Sequence, residues 1–364
     1  MKIGVIGGGI VGLSAGWAAL RRGFDLTLFE QGDLPNPRSS SCDAHRLIRD
    51  AYGADRGYTL MVQQAWGAWE RLWGDLGICH YVPTGTLALA TESSGWTHDS
   101  LATLQALGLS HTVLDREETT ARFHWLNTED VRWSLYLDSG GALLADRILA
   151  SLSDHLAQGG AALHANTKVI GVDPVAAKVE TEQGLWEFDA LVLAAGPWSG
   201  QLWPELLSRV TPSRQILAYA EPPPDLAEAW ETAPMLLDVG SAGFYCVPPV
   251  AGTGLKIGDH TFSLQGDPDG PREAEAEEVR AVFETARPRF RDFDRYRLTH
   301  PKVCFYTVEP AERFLLLQRG ACWIATGLSG HGFKFGPLLG EELAKALAGE
   351  GNAAALEAWA AGRV

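Results

Sequence analysis

Apolar positions near the N-terminus fall into a strand–turn–helix–strand rhythm. Lys2 to Ile6 is a short apolar run, and Ile10 to Arg22 has the 3.6-residue periodicity of an alanine-rich helix. Gly23 stops that helix, and Asp25 to Phe29 is a second apolar run. A polar stretch with two prolines spans Gln31 to Ser41. Thr59 to Leu76 reads as a helix, residues 81 to 140 as mixed short strands and helices, and Ala142 to Leu156 as a further helix. Strand signals follow at Ala162 to His164 and Val169 to Val172. Ala190 to Ala195 is apolar throughout, which suits a strand buried on both faces in the middle of a parallel sheet. Between 211 and 300 the character changes to proline clusters and β-type runs, with one acidic helix over Glu273 to Thr285. Strands return at Val303 to Val308, Phe314 to Leu317 and Cys322 to Thr326, and a helix from Pro337 to about Leu347 follows. No internal repeat or low-complexity tract is present.

This pattern predicts a two-lobed α/β (α+β) chain. A Rossmann-type nucleotide domain is assembled discontinuously from 1–80, 139–210 and 301–364, and an antiparallel-sheet substrate domain from 81–138 and 211–300. The length of 364 residues agrees with two joined lobes rather than one core. The 46% hydrophobic and 21% charged content is that of a globular protein. No apolar run reaches the ~20 residues a membrane helix needs. A net charge of −15 argues against a nucleic-acid partner, because phosphate binding needs a basic face. The cysteines (Cys42, Cys79, Cys246, Cys304, Cys322) are scattered and odd in number, with no CxxC spacing. That argues against a disulfide framework or a metal site and fits a reducing, cytoplasmic setting. The first apolar residues read as a strand rather than a signal peptide, and the C-terminal Ala-Gly-Arg-Val carries no organelle address.

Gly7, Gly9 and Gly12 form G-x-G-x-x-G between the first strand and first helix. The first glycine permits a tight turn, the second lets the backbone approach a pyrophosphate, and the third lets helix and strand pack closely. The helix start offers its positive end to the phosphates. Glu30, at the end of the second strand, is placed to accept from ribose hydroxyls. The bland reading is a glycine-rich structural turn. The motif does not choose between FAD and NAD. Its position in the first dozen residues, with a second apolar strand ending in Ala-Ala-Gly196-Pro-Trp, resembles flavoproteins rather than simple dehydrogenases.

Four further segments carry candidate chemistry. In Ser39-Ser-Ser-Cys-Asp-Ala-His-Arg-Leu-Ile-Arg49, the serines offer N-caps for a short helix that Gly53 can end. That helix would put Arg46 and Arg49 on one face, either to fork onto a carboxylate or simply to be solvated. In Gly254-Leu-Lys-Ile-Gly-Asp-His260, strand alternation points Lys256 away from Leu255 and Ile257, so it either snorkels or is aimed at a site. In Val303-Cys-Phe-Tyr-Thr-Val308, Cys304 and Tyr306 share a face, and Cys304 alone would read as a small buried hydrophobe. Gly327-Leu-Ser-Gly-His-Gly-Phe-Lys-Phe-Gly-Pro337 is a strand–loop–helix cradle dense in glycine, carrying His331 and Lys334 close to a ligand.

Together these segments resemble the monomeric sarcosine oxidase and N-methyltryptophan oxidase group of the D-amino-acid-oxidase-like flavoproteins, over essentially the whole chain and in the same order. The most specific parts are Cys-Phe-Tyr-Thr at 304–307 and Ser-Gly-His-Gly-Phe-Lys-Phe at 329–335. The resemblance implies FAD, carried covalently through a thioether from Cys304 to the flavin 8α position. It implies that Gly7, Gly9, Ile10, Val11, Gly12, Glu30, Arg46, Val169, Gly196, Cys304, Gly330, Gly332 and Lys334 hold the cofactor. It further implies that Arg49 and Lys334 clamp a substrate carboxylate and that oxygen is reduced at Lys256. Tyr245 would be a substrate-side aromatic, and His260, Tyr306 and His331 match other active-site positions. Ahead of its first arginine the family shows a serine–histidine stretch running into Gly-Asp/Gln-Ser/Thr, whereas this chain reads Ser-Ser-Cys42-Asp43-Ala44-His45, which leaves the substrate open.

The implied activity is an FAD-dependent amine oxidase acting as a monomer on a secondary (N-methyl or cyclic) amino acid, with O2 reduced to H2O2. Pipecolate, a glycated amino acid or a D-amino acid are alternative substrates. A dehydrogenase passing electrons to a carrier, or a non-catalytic flavin-binding module, are alternative functions.

Overall fold

The computed structural model describes residues 1–240, 243–259 and 261–363. Among them, a six-stranded sheet runs in the order 315–319, 322–326, 190–193, 2–6, 25–29, 162–164. Every neighbouring pair is parallel except 315–319 with 322–326. Ile3, Val5, Leu26, Leu28, Leu191 and Val192 are buried, as near-continuous apolar strands require when both faces are covered. Helices Ile10–Arg21, Arg56–Leu76, Ala145–Gln158 and Gly336–Leu347 cover one face. An antiparallel three-stranded sheet (169–173, 178–181, 184–187) covers the other.

The second lobe is an eight-stranded sheet in the order 297–308, 211–221, 255–259, 244–247, 235–238, 86–90, 133–137, 112–115. It is antiparallel except where 235–238 meets 86–90. The predicted boundary at residue 301 falls inside its strand Arg297–Val308. Alternation divides this sheet chemically. Ala218, Ala220, Phe244, Cys246, Leu255 and Ile257 pack on one face against helix Ala276–Glu284 and the rings of Trp230 and Phe290. Residues of the opposite parity stand on the other face, turned toward the nucleotide lobe. No helix of the described residues is long and apolar enough to cross a membrane.

The structure corrects several sequence expectations. Arg46 to Ile48 is a strand, not a helix, pairing antiparallel with Gly141–Leu143, and Gly53 (φ +59°) follows as a turn residue. That same pairing takes 142–143 out of the helix predicted from Ala142, and the observed helix begins at Ala145. The acidic helix is shorter, starting after Glu275, whose side chain forms a capping box with Glu278. A further helix, Ala353–Ala360, is capped by Asn352.

The glycine turn is fixed by close packing. Gly7 has φ +107°, and a Cβ on Gly12 would sit 1.8 Å from the Gly7 carbonyl oxygen. Gly74, in helix Arg56–Leu76, faces open space at negative φ. Gly12→Ala should therefore cost about 3 kcal/mol or more of stability through forced backbone displacement. Gly74→Ala should gain about 0.5–1 kcal/mol. Urea unfolding of the two variants checks this, and similar midpoints for both would contradict the packing argument.

Candidate active site

A cavity of about 340 Å³ opens where helix Ile10–Arg21 leaves the first strand. Gly7, Gly9, Ile10, Val11, Glu30, Arg46, Val169, Gly196, Tyr306, Gly330 and Gly332 all line it. Gly9 caps the helix without a side-chain bond, and Ser41 Oγ accepts from Ile10 N at 2.9 Å. The remaining first-turn amides give the cavity the positive end of the helix. Glu30 is held by Gly8 N (2.8 Å), Gly32 N (3.0 Å) and Asn36 Nδ2 (2.8 Å), so its carboxylate is fixed in one orientation. A Cβ on Gly330 would meet the Tyr306 ring at 2.4 Å, so only glycine lets that loop close on the tyrosine. A dinucleotide fits this donor set: an anion-friendly helix start and an acid for ribose, with apolar walls from Ile10, Val11 and Val169. Gly12 lies behind the cavity, packed on Gly7, and Cys304 and Lys334 are not among its lining residues.

The inward face of the eight-stranded sheet carries the next group. Register sets Tyr219 opposite Lys256, Tyr245 opposite Gly258, Gln215 opposite Cys304 and Ser213 opposite Tyr306. Directly opposed residues share a face, so Lys256, Tyr219, Tyr245, Cys304 and Tyr306 stand together. A Cβ on Gly258 would meet the Tyr245 ring at 2.6 Å, and the missing side chain lets that ring lie across the sheet. Burial raises the hydroxyl pKa of both Tyr245 and Tyr306, whose side chains lie close enough to influence each other.

Lys256 is 1% exposed and does not snorkel to solvent. Its Nζ donates to Asp43 Oδ2 (2.8 Å) and to the His45 carbonyl (2.6 Å). Burial lowers its pKa to about 8 against the pull of Asp43. Burial alone would raise the Asp43 pKa, but Lys256 and Arg46 overcome it and hold that carboxyl well below the usual carboxylate range. Burial, then Lys256, pushes His45 down to about 3, so it is neutral. Burial raises the Cys304 thiol, with Arg46 acting against it.

Arg46 lies in the short strand and Arg49 just past its end, and the two turn to different partners. Arg46 lines the cavity and pairs with Asp43. Arg49 lies over the rings of Tyr52 (4.5 Å) and Trp96 (5.1 Å), donates to the Ala51 carbonyl, and leaves its Nε buried without a partner. Lys334, 3% exposed, donates to Tyr52 Oη (2.9 Å) and the His331 carbonyl (3.1 Å). Burial, then Arg49, drives its pKa well below 10.5. Among the described residues neither Arg49 nor Lys334 is paired with a carboxylate. His331 contacts Tyr52 Oη (3.3 Å) and the Glu312 carbonyl (3.1 Å), steadying the loop that carries Lys334. His260 lies outside the described residues.

Sequence reasoning passes over Asp43, Tyr219, Tyr52 and Asn36. A carboxylate three residues before Arg46 is a signal for the first. The others sit in ordinary runs and acquire meaning only from the fold.

The family model described as "FAD dependent oxidoreductase" matches residues 2–346. Monomeric sarcosine oxidase of Bacillus sp. (strain B-0618) is 25% identical over 356 residues, 94% of this chain and 90% of that protein. N-methyl-L-tryptophan oxidase of Yersinia pestis (strain Pestoides F) is 25% identical over 354 residues, 93% of this chain and 92% of that protein. The crystal structure of L-proline dehydrogenase from P. horikoshii shares the fold, with a TM-score of 0.84 at 19% identity, covering 100% of this chain and 96% of that one.

Two desolvated cations side by side without a counter-ion are a stability cost. Lys334→Met, close in volume, should therefore stabilise the unliganded protein by about 1–3 kcal/mol. The sign with pH follows from the depressed folded pKa of Lys334. From that value up to the ordinary 10.5 the unfolded chain binds the extra proton, so wild-type stability rises with pH across the window. The variant should lose that slope. A destabilised Lys334→Met with an unchanged pH slope would contradict the reading of Lys334 as an unpaired buried cation.

Proposed function

Because this chain belongs to the FAD-dependent oxidoreductase family, we propose that it is an amine oxidase acting on a secondary amino acid, N-methylated or cyclic, with O2 reduced to H2O2. The observation that carries this reading is the pair of buried cations, Arg49 and Lys334, left without a carboxylate beside a cavity that fits a dinucleotide. An amino-acid carboxylate supplies the missing anion. Arg49 and Lys334 approach it from two directions and fix the substrate in position and orientation. FAD, when bound, supplies the two-electron acceptor for the carbon–nitrogen bond. The resulting imine is hydrolysed by water, and the electron pair passes to O2 with two protons to give H2O2. Tyr306 lines the cavity from the sheet, and Tyr245 stands on the same inward face. Lys256 offers a fixed ammonium where negative charge develops on reducing oxygen, an arrangement that needs no reorganisation during the reaction.

Cys304 is assigned the thioether to the flavin 8α carbon. It shares the inward face with Tyr306, which lines the cavity, and it feels the charge of Arg46. We infer a cytoplasmic monomer: the scattered cysteines fit a reducing compartment, and the similar Bacillus protein is a monomeric sarcosine oxidase. A dehydrogenase passing electrons to a carrier in place of O2 is the competing reading, and release of peroxide separates the two.

A peroxide-release screen of sarcosine, other N-methyl amino acids, proline, pipecolate and fructosyl amino acids tests the oxidase reading. Substrate-dependent peroxide is expected from at least one secondary amino acid, and bleaching of the flavin without peroxide would favour the dehydrogenase. Lys256→Met should slow reoxidation of the reduced protein by oxygen about a hundredfold or more, while anaerobic reduction persists. Unchanged reoxidation would refute the role of Lys256. Acid-precipitated wild type should retain yellow flavin and Cys304→Ala should release it. Soluble flavin from the wild type would rule out the linkage.

A further inference from the structure

The segment that departs from the family pattern places a carboxylate where two lobes meet. Asp43 is 4% exposed, and both of its oxygens are fully used. Oδ1 accepts from Tyr219 Oη (2.5 Å) and Ala44 N (2.9 Å). Oδ2 accepts from Lys256 Nζ (2.8 Å) and from an Arg46 Nη1. The two cations are otherwise held by backbone alone: Lys256 by the His45 carbonyl, Arg46 by the His45 (3.1 Å) and Ser40 (2.8 Å) carbonyls. His45 is not a second counter-ion. Its Nε2 faces the Gly254 carbonyl at 3.3 Å and its buried Nδ1 has no partner. The other titratable groups turned toward Lys256 are Tyr219, Tyr245, Cys304 and Tyr306, and none of them is an acid at neutral pH. Asp43 is therefore the one carboxylate ion-paired with Lys256 among the described residues.

We propose that Asp43 is a positioning residue for the oxygen step: its carboxylate fixes the Lys256 ammonium beside Arg46 and sets the pH range over which Lys256 stays charged. This rests on the assignment of Lys256 under the proposed function. The physical basis is simple. Without Asp43, two cations would share a desolvated space, and the lysine, the more easily deprotonated of the two, would give up its proton. Tyr219 adds a neutral donor that locks the carboxylate rotamer, so the aspartate pulls Lys256 toward one spot on the sheet.

The test uses the flavin-loaded protein with [13Cε]lysine, the Lys256 resonance being assigned by its loss in Lys256→Met. With Lys256 near 8 in the wild type, Asp43→Asn should lower its titration midpoint by a unit or more. That cuts the charged fraction at pH 8 from about a half to about a tenth. Reoxidation by O2 at pH 8 should fall about fivefold, with its pH profile displaced to acid by the same interval, and Asp43→Glu should restore most of both. A purely structural role would change the rate without moving the midpoint. An unchanged Lys256 midpoint in Asp43→Asn overturns the proposal. If that variant does not fold, Arg46→Met and Arg46→Met/Asp43→Asn give the same comparison with the competing cation removed, and equal midpoints in that pair overturn it likewise. The two claims fail separately. Unchanged reoxidation in Lys256→Met sinks the role of Lys256 while the measured Asp43–Lys256 coupling stands. Slow reoxidation in Lys256→Met with an unmoved profile in Asp43→Asn sinks the role of Asp43 alone.

Discussion

The carboxylate of Asp43 is the point on which the two lobes depend. It comes from the segment that follows the nucleotide motif, and it reaches the polar face of the eight-stranded sheet, where Lys256 and Tyr219 meet it. Arg46, one residue past His45, closes the cluster from the cavity side. A buried charge left alone costs several kcal/mol, so removing one member of such a cluster strands the others. The strand Arg46–Ile48 is thereby held in one register against Gly141–Leu143. Arg46 then lines the cavity, and Arg49, just past the strand's end, lies over Tyr52 and Trp96.

The outcome is two cation pairs with opposite states of completion. Arg46 and Lys256 have their anion built in, while Arg49 and Lys334 do not. The first pair is satisfied within the chain and belongs to its permanent architecture. The second is held by aromatic rings, a tyrosine hydroxyl and backbone carbonyls, none of which neutralises charge. The proposed substrate carboxylate would complete it. Stability forgone at that pair is recovered as binding free energy for an anionic ligand, a common arrangement at functional sites. The same contrast explains why Lys256 and Lys334, both buried, differ in how far their proton affinity falls: Asp43 supports the first, and Arg49 opposes the second.

The nucleotide turn was legible in the sequence because its constraints are local: three glycines, a strand, a helix and Glu30 lie within the first thirty residues or so. The strands 190–193 and 322–326 were legible because burial on both faces leaves a continuous apolar run. The strand at 46–48 was not, since its short pattern suits a helix equally and its pairing partner, Gly141–Leu143, lies far along the chain. The helix at Ala353–Ala360 carried a usable signal in Asn352 as its cap. The sequence placed Lys256 and Cys304 on particular strand faces, but neither the ion pair of Lys256 nor the seat of Cys304 beside the cavity lining follows from alternation alone. Those depend on segments brought together only by the sheet register. Arg49 and Lys334 stood out by resemblance. Their lack of a counter-ion is a property of the folded protein.

The central claim is that the substrate is recognised by its carboxylate at Arg49 and Lys334. The most direct measurement is anaerobic bleaching of the flavin absorbance in the purified protein by a reactive secondary amino acid, compared with its methyl ester and with the corresponding amine lacking the carboxyl group. The account expects the acid to reduce the flavin at concentrations where the ester and the amine leave it oxidised. Equal bleaching by all three would contradict it.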